Sequence, residues 1–426
     1  MIAPSAARRG DLRNYVLITG AYWANTLADG ASRILVLFYF YELGYSPFEV
    51  ASLFLFYELF GIVTNLVGGW LAARLGLKST LFLGLGVQIV ALAMLGLAPA
   101  AWLVVPFVMA AQALSGIAKD LTKMSAKSAV KLVVPAGPEG SESALYRWVA
   151  ILTGSKNALK GVGFFLGGLL LTVTGFQTAM LILAAMVATA LVVTAALMRG
   201  GLGTADAKAK FRHIFSNDRA VNVLATARVF LFASRDVWFV VGLPVYLRTV
   251  LDWSFWAVGT FLAIWVIGYG IVQAAAPRLI RREVVAGEGR EPDGRTATRL
   301  AFVMALFPAA IAVALAADLD PTTILVVGLI GYGVIFAFNS AVHSYLILSY
   351  ADDERVAMNV GFYYMANASG RLLGTILSGL LYQWFGLIGC LWAATGFVLA
   401  AGLISLLLPA SRQPVAIPFS RGVRDR

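Results

Sequence analysis

Long apolar runs recur along nearly the whole chain and are separated by short polar segments. A helix needs roughly 20 apolar residues to cross the hydrocarbon core, which offers no hydrogen-bond partner to an exposed backbone. The pattern therefore predicts an all-α polytopic membrane protein with twelve transmembrane helices. The predicted spans are residues 14–39, 48–70, 79–99, 102–125, 145–173, 177–198, 220–248, 255–276, 299–317, 323–349, 356–384 and 387–408.

Composition agrees with lipid as the solvent for most of the chain. Hydrophobic residues make up 60% of the 426 residues and charged residues only 13%, whereas about one quarter of a soluble domain is charged. The spans follow one another so closely that no soluble module fits between them. The polar segment 1–13 precedes a long span without a small-residue cleavage pattern, so we expect the first helix to be retained.

Lysine and arginine are concentrated in the N-terminal tail and in alternate loops, and among the loop residues only Arg248 falls on the opposite side. Because basic loops face the cytoplasm, both termini are predicted to be cytoplasmic. Contact between these loops and anionic lipid headgroups accounts for the net charge of +11. No nucleic-acid partner is expected.

A polar stretch at residues 199–219 separates six predicted spans from six others. It predicts a cytoplasmic linker between an N-terminal six-helix bundle at 1–198 and a C-terminal six-helix bundle with a short cytoplasmic tail at 220–426. Transporters often contain such internal repeats.

A repeat is visible between the fifth and eleventh spans. The offset that aligns Lys160 with Arg371 also brings a ladder of small residues into register, ending at Gly175 and Gly386. Small residues at this spacing let helices approach closely, but packing does not explain the two cations. A weaker alignment relates Asp29 in the first span to Asp236 in the seventh.

The segment between the second and third spans reads GWLAARLGLK and begins at Gly69. It resembles the signature loop of the major facilitator superfamily, and the resemblance implies two six-helix bundles related by a pseudo-twofold repeat. Gly69, Arg74, Gly76 and Lys78 match the pattern, whereas Ala73 stands where the family has an aspartate. A gating salt bridge through that acid is therefore not expected.

Seven cations lie well inside the predicted spans, accompanied by four acids. A cation at the bilayer centre costs about 3 kcal/mol, so seven facing lipid would cost roughly 20 kcal/mol. These side chains must therefore face partners or a water-filled cavity. The cations are Arg33, Lys119, Lys156, Lys160, Arg228, Arg235 and Arg371, and the acids are Asp29, Glu58, Asp120 and Asp236.

Lys156, Lys160 and Arg371 lie about 20 Å along their predicted helices, near the bilayer midplane. Lys156 and Lys160 share a helix face, and the repeat predicts Lys160 and Arg371 on opposite walls of a central cavity, where transporters bind substrate. This arrangement favours an anionic substrate. The predicted substrate-binding residues are Lys156, Lys160, Arg371, Arg235, Asn157, Asn367, Arg228 and Lys119.

Structural ion pairs are the alternative role for these charges. Asp29 lies four residues before Arg33, which favours a pair between them. Arg235 and Asp236 are adjacent, so each is predicted to need a partner elsewhere. A stripe at the end of the fourth span favours a solvated helix face near headgroups over recruitment of substrate; it consists of Lys119, Lys123, Lys127 and Lys131.

The sequence contains no phosphate-binding glycine loop and no paired histidines at metal spacing, and Cys390 is its only cysteine. We therefore expect no enzyme activity, no cofactor and no metal site, and an ion gradient as the energy source. Protons are the predicted coupling ion. The candidate carriers are Asp29, Glu58, Asp236 and His343, although a packing role is the simpler reading of the histidine.

Several long runs resemble the ArsJ family of organoarsenical efflux permeases. They are LRNYVLITGAYWANTLADGASRILVLFYF, MAAQALSGIAKDLTKMSAKSAVKLVVP, WVAILTGSKNALKGVGFFLGG, SRDVWFVVGLPVYL and VAMNVGFYYMANASGRLLGT. The resemblance implies export of 1-arseno-3-phosphoglycerate, made by glyceraldehyde-3-phosphate dehydrogenase from arsenate, and hence arsenate resistance. We expect a monomer in the bacterial cytoplasmic (inner) membrane. The open alternatives are a transporter of another organic phosphate or drug, and a membrane sensor that transports nothing.

Overall fold

The computed structural model describes residues 6–129, 141–198, 219–285, 292–350 and 356–409. Within these ranges the secondary structure is entirely helical, which confirms the predicted class. The helices are α1 (Ala6–Glu42), α2 (Pro47–Leu53), α3 (Leu55–Leu75), α4 (Leu77–Leu97), α5 (Val105–Ala129), α6 (Ser141–Thr174), α7 (Phe176–Leu197), α8 (Arg219–Phe239), α9 (Gly242–Thr249), α10 (Phe255–Val285), α11 (Gly294–Ala316), α12 (Pro321–Tyr350) and α13 (Val356–Ser405), with a short 3₁₀ turn at Ala100–Trp102.

Local sequence explains why some membrane crossings are broken. Pro47 and the Ser46–Glu49 capping box begin α2, which is followed by α3 after Phe54. Pro244 has no N–H to continue the hydrogen-bond ladder, and the helix is interrupted between α8 and α9. The backbone N–H groups of Val241 and Gly242 at this interruption donate to Ser378 Oγ on α13, at 3.2 and 3.1 Å.

The predicted number of crossings agrees with the helices. In the described part of the chain, nine helical stretches are long and apolar enough to span a membrane. The last of these is interrupted at Gly386, where φ is 63° and ψ −162°, so it forms two crossings. The charge-bearing helices α1 and α5 are long but are not among the nine. The last stretch counts as two crossings, which gives ten, and α1 and α5 bring the number to twelve. Gly386 separates the two predicted spans 356–384 and 387–408.

The predicted loop at residues 69–78 is wrong in its extent. Helix α3 continues to Leu75 and α4 begins at Leu77, so Gly76 alone forms the turn, with φ 77°. Lys78 Nζ lies 5.6 Å from the centroid of the Phe82 ring. The surroundings of Gly69 and the side chain of Arg74 lie outside what the structure describes, as do positions 199–218 of the predicted linker.

Three-dimensional packing reproduces the repeat between α6 and α13. Gly163 of α6 lies against the backbone of α1 near Leu27, and Gly374 of α13 lies in the same way against α8 near Ala233. Gly175 and Gly386 both turn the chain with positive φ, at 75° and 63°. Equivalent glycines therefore allow close helix packing and a turn at the same places in the two halves.

Candidate functional site

A central cavity of about 210 Å³ lies between the two halves. Helices α1, α3, α5 and α6 form one side of it, and α8, α10, α12 and α13 form the other. All eight predicted substrate-binding residues line this cavity. They are Lys119, Lys156, Asn157, Lys160, Arg228, Arg235, Asn367 and Arg371.

Helix α6 contributes two lysines and an asparagine to the wall of the cavity. Lys156, Asn157 and Lys160 are partly exposed to the cavity, because residues four apart share a face and their immediate neighbour lies beside it. Lys160 Nζ lies 5.5 Å from the Phe164 ring centroid. Asn157 Nδ2 donates to Gln273 Oε1 at 3.2 Å, which joins the N-terminal half to α10 of the C-terminal half.

Glu58 of α3 bridges two arginines from different halves. Its Oε1 lies 3.1 Å from Arg33 Nη1 and its Oε2 lies 2.8 Å from Arg371 Nη2. The predicted pairing of Arg33 with Asp29 is therefore wrong. The Arg33 side chain extends to α3, and its Cζ lies 5.2 and 4.7 Å from the centroids of the Phe54 and Tyr57 rings.

Asp29 instead accepts a hydrogen bond from a neutral group. The Tyr57 hydroxyl lies 2.7 Å from Oδ1 and 2.9 Å from Oδ2 of Asp29. Within the described residues Asp29 has no cation at ion-pair distance. Among the candidate proton carriers, Glu58 and Asp236 are both held by arginines.

Arg235 and Asp236 contact each other, contrary to the prediction that adjacent residues would need separate partners. Arg235 Nε donates to Asp236 Oδ1 at 2.5 Å. A long arginine side chain can curl back along its helix to a neighbouring carboxylate, even though the two Cβ atoms point in different directions. The guanidinium also lies over Phe232 and Phe336, 5.0 and 5.5 Å from their centroids.

Arg228 has neutral hydrogen-bond partners only, as far as the described residues show. Its Nε donates to Asn367 Oδ1 at 2.7 Å and its Nη1 to the Ser340 carbonyl at 3.1 Å. The rings of Phe232 and Tyr363 lie 4.3 and 4.7 Å from Cζ. Asn367 is thus oriented by Arg228 rather than by Arg371, one turn away.

The lysine stripe of α5 is not a solvated face where it is described. Lys123 is 9% exposed and its Nζ contacts Asp120 Oδ1 at 2.5 Å and Asn65 Oδ1 at 2.6 Å. Lys119 Nζ lies over Tyr57, 4.0 Å from the ring centroid. The prediction of a solvated face is wrong for these two lysines, because Lys123 pairs with Asp120 and Lys119 lies against the Tyr57 ring inside the bundle. The side chain of Lys127, and all of Lys131, lie outside the described residues.

His343 is 1% exposed and does not line the cavity. Its Nδ1 has no hydrogen-bond partner in the described part of the protein. No group of three histidine, cysteine, aspartate or glutamate side chains is placed to hold a metal there either. Cys390 is fully buried, with Sγ 3.7 Å from the Ser378 carbonyl.

Two cavity residues were missed at the level of sequence. Gln273 joins Asn157 to Ser340, its Nε2 donating to Ser340 Oγ at 3.0 Å. A glutamine that faces lipid is energetically unfavourable, so its presence in an apolar span indicates that Gln273 faces the interior of the bundle. Tyr57 lies between Arg33 and Lys119, but an aromatic residue in a span is common and gives no such signal.

Comparisons with known proteins give the same architecture. The family model described as Major Facilitator Superfamily matches residues 18–342. Similar solved structures include a POT family transporter in complex with a thioalcohol-conjugated peptide, at 14% identity, and a POT family transporter in complex with 5-aminolevulinic acid, at 15%. Each has a TM-score of 0.73 and aligns over 92% of this chain and 95% of the other, which shows a common fold alone. No curated protein matches the sequence.

Proposed function

The chain belongs to the major facilitator superfamily, and from that premise we propose that it is a proton-driven exporter of the anionic organoarsenical 1-arseno-3-phosphoglycerate. The family makes the protein an integral membrane transporter rather than an enzyme. Export of this compound would confer arsenate resistance on a cell whose glyceraldehyde-3-phosphate dehydrogenase forms it. The proposal places the protein, as a monomer, in a bacterial cytoplasmic membrane.

The observation that carries the proposal is the excess of positive charge around the cavity. Among the residues that the structure describes, seven cations line it, against the carboxylates of Asp29 and Asp236 on its wall and of Glu58 just behind it. Buried charge without compensation is costly, so the cavity favours a ligand that brings negative charge. Lys and Arg are the side chains that bind phosphate and arsenate groups.

The arsenical itself is supported by sequence resemblance and by chemistry. The runs that resemble ArsJ permeases contain Asp29, Lys160, Arg235 and Arg371, which all contribute to the site. Pentavalent arsenic in this compound is bound to oxygen and needs no thiolate. The only cysteine, Cys390, is accordingly buried away from the cavity.

Transport into everted membrane vesicles tests the function. We expect the wild-type protein to accumulate the arsenical and Lys160→Ala to lose uptake by roughly tenfold or more, because a charge-assisted hydrogen bond is worth about 1.5–3 kcal/mol. Expression should be unchanged, since Lys160 has no carboxylate within ion-pair distance in the described structure. Uptake of plain 3-phosphoglycerate without the arsenical would support the alternative, an organic-phosphate transporter. Unaltered arsenate tolerance in Lys160→Ala and Arg371→Ala would support a non-transporting sensor.

Asp29 is our proposed proton carrier. Its carboxylate is buried and bound by a hydroxyl instead of a cation, so no ion pair has to break when it takes a proton. Asp29→Asn is expected to abolish the acceleration of export by a proton gradient while leaving exchange of substrate across the membrane at equilibrium. Asp236→Asn is the matched comparison, since Arg235 holds that carboxylate. A fully gradient-dependent Asp29→Asn protein would contradict the assignment.

A further inference from the structure

The side chain of Tyr57 contacts two groups to which the proposed function gives different roles. Its hydroxyl lies 2.7 and 2.9 Å from the two carboxylate oxygens of Asp29, the proposed proton carrier. The centroid of its ring lies 4.0 Å from Nζ of Lys119, one of the cations that line the cavity. Tyr57 is 1% exposed and lines the same cavity. One side chain on α3 therefore joins the proton site to the substrate site.

Close packing of α3 against α5 holds the tyrosine in this place. A Cβ on Gly116 of α5 would lie 2.5 Å from the Tyr57 carbonyl oxygen, so the glycine lets the two backbones come into contact. Lys119 follows Gly116 by three residues, which places both on one face of α5. The contact between the backbones thus brings the Lys119 ammonium group close to the aromatic ring, whose negative face attracts it.

Within the described part of the protein, the Tyr57 ring is the contact that keeps Lys119 at the cavity. Lys119 Nζ is buried and has no hydrogen-bond acceptor there. It forms no ion pair with its neighbour Asp120, whose carboxylate is bound by Lys123. A buried ammonium group without a partner is costly. Without the ring, we expect Lys119 to turn away from the cavity and towards Asp120.

The hydroxyl has the corresponding role at Asp29. Among the described residues, it is the hydrogen-bond donor that contacts this carboxylate. Charged groups face Asp29 from its own helix and from the helices packed around it, with no cation at ion-pair distance: Arg33 on α1, Glu58 on α3, Lys119 on α5 and Lys160 on α6. Burial without a hydrogen bond penalises the charged form of a carboxylate. The hydroxyl therefore stabilises the state in which Asp29 has released its proton.

We infer that Tyr57 is a positioning residue that holds the proton carrier and a substrate-binding cation in fixed places, its hydroxyl acting on Asp29 and its ring on Lys119. The inference rests on the proposed function for the roles of those two residues. The two contacts use different parts of one side chain, so they can be removed separately.

Two substitutions separate the hydroxyl from the ring. Tyr57→Phe retains the ring, so binding of inorganic phosphate to the purified full-length protein should equal that of wild type. In everted vesicles, the acceleration of export by a proton gradient should be lost in this variant, as in Asp29→Asn. Tyr57→Leu removes the ring as well and should weaken phosphate binding about three- to tenfold, as expected for the loss of one buried cation–π contact.

Tyr332→Phe is the matched control. Tyr332 is also buried, its hydroxyl lies 2.9 Å from Ser234 Oγ, and it does not line the cavity. This variant should change neither phosphate binding nor the response to the gradient. Tyr57→Phe preserves the shape of the core, so the hydroxyl is tested even if Tyr57→Leu does not fold.

A double substitution distinguishes positioning from a general structural role. If the ring acts through Lys119, adding Lys119→Met to Tyr57→Leu should weaken phosphate binding no further than Lys119→Met alone. Losses that add in full would show that the ring acts elsewhere and would overturn its assigned role.

The remaining outcomes separate this inference from the proposed function. Gradient-accelerated export by Tyr57→Phe at the wild-type level overturns the role of the hydroxyl, and wild-type phosphate affinity in folded Tyr57→Leu overturns that of the ring. A protein that transports 3-phosphoglycerate in place of the arsenical removes the proposed substrate, and the same comparisons made with that compound still decide the inference. A protein that transports neither removes the proposed function and the role of the hydroxyl with it, while phosphate binding decides the role of the ring.

Discussion

Glu58 connects the two halves of the transporter through charge. It is fully buried and lies between Arg33 of the N-terminal half and Arg371 of the C-terminal half. A substrate oxyanion bound at Arg371, as proposed above, would compete with this carboxylate for the guanidinium. It would thereby weaken the bridge that holds the two halves together.

Removing the charge of Glu58 should destabilise the empty protein. Glu58→Gln leaves two buried guanidinium groups without a carboxylate, and loss of one partner from a buried pair costs about 3–5 kcal/mol. Because glutamine still accepts a hydrogen bond, we expect the lower end of this range. The measurement is the free energy of unfolding in a denaturing-detergent titration.

Asp320→Asn is the control for this measurement. Asp320 is exposed and its Oδ2 accepts from the Thr323 N–H at 2.8 Å at the start of α12. Asparagine caps a helix as well as aspartate, so stability should change by less than about 0.5 kcal/mol. Equal stability of Glu58→Gln and wild type would show that the bridge contributes little in the membrane.

At the scale of elements, glycines set how closely helices of opposite halves approach. A Cβ on Gly168 of α6 would lie 2.6 Å from the Phe255 carbonyl oxygen at the start of α10, and one on Gly379 of α13 would lie 2.5 Å from the Pro47 carbonyl oxygen at the start of α2. These positions are equivalent in the repeat. The two interfaces between the halves are thus built in the same way.

Alanine at either glycine should force the helices apart. We expect Gly168→Ala and Gly379→Ala each to lower the free energy of unfolding by about 1–3 kcal/mol, the usual cost of overpacking. Gly268→Ala in α10 has nothing within 4 Å of its Cβ and should be neutral or stabilising by up to about 1 kcal/mol, because alanine is the better helix former. The same small gain at Gly168 would contradict close packing there.

At the scale of the whole molecule, contacts between the halves continue at the end of the bundle opposite the N-terminus. Arg248 Nε lies 3.4 Å from Glu42 Oε1 across the halves, and its Nη1 lies 3.2 Å from Asp252 Oδ1 within its own half. The Phe48 N–H donates to Gln383 Oε1 at 3.3 Å. Alternating access requires these contacts to open.

Glu42→Gln should make opening at this end easier. The pair is exposed and worth about 0.2–1 kcal/mol, so the open population should rise by at most about fivefold. The readout is the rate of thiol labelling of Leu37→Cys, which lines the cavity, against a background of buried Cys390. Asp252→Asn removes a contact within one half and should not change the rate. An equal increase in both variants would exclude a role between the halves.

The sequence by itself determined the twelve crossings, the repeat and the set of charged side chains that must face the interior of the bundle. Hydropathy is a local property, and the cost of exposing charge to lipid requires Lys160, Arg228 and Arg371 to face inward whatever their partners. Only the tertiary structure decided which charges meet. Glu58 and Arg371 are far apart in the chain, and Asp29 lies one turn from Arg33 yet binds Tyr57. Such pairings depend on how whole helices are placed, and no local pattern records that.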